Sequence, residues 1–144
     1  MSKMSVVAKG TIIAILLALV LSSFPTANVF AASKNGKLEE KWDQLVTNFD
    51  KQSVNHTSAH KWVERWLKTA KHATSSDKAE VQKHLTICNS ALASAGAIIW
   101  SHPGFDASGK VVDKGLANRS IKDLANYLRQ HAGSIKNLNE HMGN

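Results

Sequence analysis

Apolar side chains recur along this chain at helical spacing in four stretches. Leu38, Trp42, Leu45, Val46 and Phe49 fall on one face of a helix and predict one over 37–51, with Asn35 as its cap. The acids Glu39, Glu40 and Asp43 suit its positive N-terminal end. A short polar run, 52–55, reads as a turn. Ala59, Val63, Trp66 and Ala70, flanked by Trp62 and Leu67, then predict a second helix over 56–72.

The third stretch has the most regular pattern. Val81, Leu85, Cys88, Leu92, Ala95 and Ile99 alternate at spacings of four and three, with Ile87, Ala91 and Ile98 beside them. Ser76 or Asp77 can cap it, and Asp77 with Glu80 has capping-box spacing. Pro103 and Gly104 end it. No Asp, Glu, Lys or Arg occurs from Leu85 to Phe105. So wide an uncharged arc predicts a helix nearly surrounded by protein. After a longer connection, Phe105 to Leu116, with a turn at 106–109 and a short extended stretch at Val111 and Val112, a fourth helix begins near 118–120. Ile121, Leu124, Leu128, Ala132, Ile135, Leu138 and Met142 form its stripe, and Gly133 weakens its middle.

These elements predict an all-α domain over 37–144, an antiparallel up-down four-helix bundle, behind a flexible leader over 32–36. Residues 1–31 have a different character. Lys3 and Lys9 precede an apolar run over 11–21, and Val29 and Ala31 supply the small residues of a cleavage site. That order is a secretory signal peptide. The apolar run is shorter than the ~20 residues a bilayer span needs. The chain is therefore expected to be secreted or otherwise extracytoplasmic.

Removing 1–31 takes two of the 18 Lys and Arg and none of the 11 Asp and Glu, so the net charge falls from +7 to +5. A positive excess favours an acidic protein or an anionic surface polymer as partner. The charges are dispersed and mixed in sign, unlike the basic stripe of a nucleic-acid binder. The single cysteine, Cys88, rules out an internal disulfide and lies on the third stripe, which predicts a buried, inert thiol.

Seven histidines and four tryptophans carry the remaining chemistry. With ~1.5 Å of rise per residue and helices ending flush, His60, His84 and His131 come to similar heights facing the core. His56 lies one turn from His60, a spacing that can chelate a divalent ion. His56, His60, His84 and His131 are thus the candidate ligands for a transition metal or haem. The bland alternative is a set of hydrogen-bonded structural histidines. The Cys-x-x-Cys-His signature of covalent haem is absent, as are the nucleophile-elbow, phosphate-loop and zinc-protease motifs, so no catalytic residue is assigned and a non-enzymatic binding protein is the leading expectation. Trp62, beside Lys61 and Arg65, is the tryptophan expected at the surface and the candidate partner contact. A membrane-active toxin is a third reading, weakened by Asn89, Ser90 and Ser94 within the uncharged helix.

The export reading makes a direct prediction. N-terminal sequencing of the product recovered outside the cytoplasm should begin at Ala32, whereas a product retaining residues 1–31 would mean that the segment stays as an anchor.

Overall fold

A computed structural model describes residues 35–143. Three α-helices make up the described domain: α1, Gly36–Thr69; α2, Ser75–Ser101; and α3, Lys114–His141. They run up, down and up. The expected signal peptide lies outside the described residues.

The four-helix expectation is corrected at 52–55. The run Gln-Ser-Val-Asn is polar but contains no Gly or Pro, and polarity alone does not break a helix. Ser53 Oγ donates to the Phe49 carbonyl at 2.8 Å and Thr57 Oγ1 to the Ser53 carbonyl at 3.1 Å, so these hydroxyls are satisfied within the helix. The inward stripe also never stops. Trp42, Val46, Phe49, Gln52, His56, Ala59, Val63 and Trp66 follow one another at spacings of three or four, with polar residues in the middle. Both predicted halves therefore belong to one 34-residue helix.

Helix ends follow local chemistry. Asn35 occupies the N-cap of α1, but its side chain makes no capping bond; its carbonyl accepts from the Leu38 and Glu39 amides. The cap of α2 is Thr74, not Ser76 or Asp77. Thr74 Oγ1 accepts from the Asp77 amide, and the Asp77 carboxylate accepts from the Thr74 amide, a complete capping box. Asp113 starts α3 four residues ahead of the expected point by accepting from the Leu116 amide.

Two apolar clusters form the core. At the end where the α2–α3 connection lies, Trp42 and Val46 pack against Ala95, Ile99, Ile121, Leu124 and Leu128. Phe105 from the connection stacks on Trp42 with ring centroids 4.4 Å apart. Toward the α1–α2 turn, Val63, Val81, Leu85, Cys88, Leu138 and Met142 form the second cluster. The α2–α3 connection is tied down on both sides. Glu39 accepts from Lys110 Nζ at 3.2 Å and from the Val111 amide at 3.1 Å, while Ser120 Oγ donates to the Pro103 carbonyl at 2.7 Å. The extended pairing expected at Val111 is a single bridge to Phe105.

Gly104 allows that connection to close. Its φ is +86°, and a Cβ there would sit 2.1 Å from the Ala117 amide nitrogen. Gly133 has the opposite surroundings, with nothing within 4 Å of an added Cβ. Gly104→Ala should therefore destabilise the fold by at least about 2 kcal/mol. Gly133→Ala should stabilise it by about 1 kcal/mol through helix propensity. Urea unfolding of the two variants beside the parent chain checks both.

Candidate functional sites

The four candidate histidine ligands fall in two separate clusters. The first lies between the apolar halves of the core. His131 takes the inward position on α3 that the stripe assigned to Ala132, and is 1 % exposed. Its Nδ1 is 2.7 Å from Gln52 Oε1 and its Nε2 is 3.0 Å from His56 Nδ1. The carbonyl of Gln52 accepts, so His131 carries its proton on Nδ1, its Nε2 accepts, and His56 Nδ1 donates. The Asn89 side chain on α2 hydrogen-bonds His56 as well. His60 lies beside His56, with ring centroids 6.1 Å apart, and turns toward Glu64 at 3.5 Å.

Both nitrogens of His131 are thus committed to hydrogen bonds, which leaves no lone pair for a metal. Burial, with His56 beside it, holds the His131 ring neutral by lowering its pKa from 6.5 to about 4. Burial, then the charge of His60, lowers His56 too. Cys88 packs below this layer with Sγ 4.0 Å from the His131 carbonyl. Burial pushes its thiol up to about 11, so it is neither a nucleophile nor a thiolate ligand at neutral pH.

His84 belongs to the second cluster. Its ring stacks on His141 with centroids 5.3 Å apart, and its Nε2 is 3.7 Å from Glu80 Oε2. Its ring partners lie at the end of α3, not in the His131 layer. His84 lies nine residues into α2, yet its neighbour is the last residue of α3. An open cleft at this end of the bundle is lined by Trp66, Lys71, His72, Asp77, His141 and Met142 among others.

The tryptophan expectation is also revised. Trp62 is half-buried and packs partly against the second core cluster, although Lys61 and Arg65 are exposed. Trp100, at the C-terminal end of α2, is 68 % exposed. Val112 and Leu116, at the same end of the bundle, are exposed as well. Helix α2 buries one stripe, Val81, Leu85, Cys88, Ala91, Ala95 and Ile99. Its opposite face, Thr86, Ser90, Ala93, Ala97 and Trp100, is open to solvent. The helix expected to be surrounded is thus covered on one side only. Among the described residues, no helix is long and apolar enough to cross a membrane. Comparison with protein-family models, with curated proteins and with solved structures gave no match to this chain.

The buried histidine layer has a pH signature with a definite sign. The folded-state pKa of His131 is depressed, so as pH falls below about 6.5 the unfolded chain takes up a proton that the folded chain refuses until about 4. Stability is full above pH 6.5 and should drop by about 3 kcal/mol on the way to pH 4, with His56 acting in the same direction. In urea unfolding across that range, His131→Gln should show a shallower slope than the parent chain. Parallel slopes would show that His131 is not the group responsible.

Proposed function

We propose that this protein is an exported, non-enzymatic helical bundle that acts by binding a protein partner, and that the partner lays an apolar helix on the outer face of α2. One observation carries this reading: α2 and the residues following it lack Asp, Glu, Lys and Arg over 85–105, yet only one side of the helix is covered. A helix that faces water on one side normally carries charge there. Here that side bears Thr86, Ser90, Ala93 and Ala97 and ends on the exposed Trp100.

The chemistry of the face selects the partner. It has no cation to engage an anionic polymer. Its small side chains let a second backbone approach closely over about 21 Å of helix. Trp100, with Val112 and Leu116 at the same end, provides the large apolar anchor on which protein interfaces concentrate their binding energy. The +5 charge of the segment after residue 31 would act at longer range, speeding encounter with an acidic partner. Export rests on the pattern of residues 1–31.

The test is a pull-down from the extracytoplasmic fraction of the source cells, comparing the parent with Ala93→Lys/Ala97→Lys. Both positions are exposed and Lys is a good helix former, so the fold should survive, as circular dichroism would verify. The parent should retain a protein that the double variant loses, while Lys61→Ala/Arg65→Ala still retains it. Equal recovery by the parent and the Ala93/Ala97 variant would overturn the proposal. Sedimentation of the purified chain would show whether the partner is a second copy.

A further inference from the structure

We infer that Glu80, His84 and His141 form a binding site for a divalent transition metal ion, of borderline character such as Zn2+, which ties α2 to the last turn of α3. The site is distinct from the outer face of α2 and from the buried His131 layer.

Three observations support it. The first is convergence. One ligand atom from each of the three side chains lies within 4.8 Å of the others. Glu80 and His84 are one helical turn apart on α2, and His141 comes from the other side of the gap, at the end of α3. Tetrahedral zinc, with bonds of about 2.0–2.2 Å, holds its donors about 3.4 Å apart. Closing the set by an ångström or so requires only side-chain rotation, and His141 is exposed.

The second is the state of His84. Its Nδ1 is buried without a hydrogen-bond partner, and its Nε2 has only the 3.7 Å approach of Glu80, which is longer than a hydrogen bond. The side chain is 13 % exposed, so water does little to compensate. An ion held beside Glu80 would take Nε2, which no hydrogen bond occupies. The contrast with His131 is direct, since that more deeply buried ring has both nitrogens bonded.

The third is donor chemistry. Two imidazoles and a carboxylate suit Zn2+, Ni2+ or Cu2+ and do not suit Mg2+ or Ca2+, which prefer oxygen. Other nearby acids and bases are accounted for. Asp77, which feels the charge of His141, is held in the Thr74 capping box, and Lys83 Nζ lies 3.5 Å from Glu80 Oε2, the oxygen that also faces His84. His141 also lines the open cleft at this end of the bundle, so the remaining coordination position opens toward solvent there. Three protein donors with one open position is a binding rather than a closed structural arrangement.

The experiment is calorimetric titration of the untagged mature chain with Zn2+ at neutral pH, alongside thermal unfolding in Zn2+ and in Mg2+. One Zn2+ per chain should bind, and Zn2+ alone should raise the melting temperature. His84→Ala and His141→Ala should each weaken binding by tenfold or more, and Glu80→Gln by a smaller factor. His141 is exposed at the helix end, so its replacement leaves the fold intact and keeps the test decisive even if His84→Ala unfolds. His56→Ala/His60→Ala, which removes the neighbouring turn-spaced pair, should bind as the parent does. Unchanged affinity in His141→Ala, or loss of binding only in the His56/His60 variant, would overturn the assignment.

Discussion

The imidazole of His131 is the point on which this bundle is registered. It is the only charged-type side chain that reaches full burial among the described residues, and it spends both ring nitrogens on α1, one on Gln52 and one on His56. Apolar packing tolerates sliding of one helix past another by a turn. A buried donor and acceptor pair does not, because a slip leaves polar groups unpaired in the core at about 1–3 kcal/mol each. The layer also divides the core in two, with Trp42 and its neighbours on one side and Val63 and its neighbours on the other. That division explains why α1 continues through a run of polar residues: those residues face a polar layer.

Once α1 and α3 are registered, other placements follow. The Cys88 thiol lies against the His131 carbonyl, which sets α2 beside α3. Toward the α1–α2 end of the same seam, the His84 ring reaches that of His141. The Glu80–His84–His141 cluster and the cleft beside it lie at that end of the α2–α3 seam. At the other end, Glu39 and the stacked pair Trp42 and Phe105 hold the α2–α3 connection against α1. Three helices packed in this way can cover only one side of α2. Its uncharged outer face is therefore a feature of the three-helix domain.

The helical class, the inward stripes of α2 and α3, the burial of Cys88 and the stop at Pro103 were legible from spacing alone, because a 3.6-residue period repeated over seven or eight turns admits one secondary structure. Where polarity was used as a boundary signal, the reading failed. Nothing in 52–55 forbids a helix, and the pattern looked interrupted only because Gln52 and His56 are polar residues on a buried face. His131 was legible as a core-facing residue, but its hydrogen-bond partners on α1 were not. Asp113 was a conventional cap residue ahead of α3, but the apolar stripe begins later, so the first turn was missed.

Periodicity is a property of one helix at a time, and the sequence by itself determined what each helix buries. Which histidine meets which is a property of the axial offset between helices, and no single stripe encodes it. His56 and His131 are 75 residues apart and His84 and His141 are 57 apart, so only the tertiary structure could decide that the first pair closes on itself through hydrogen bonds while the second leaves a ring nitrogen without a partner. The same holds for exposure. An uncharged helix reads alike whether it is enclosed by its own domain or by a neighbour, and the number of helices around it separates the two cases.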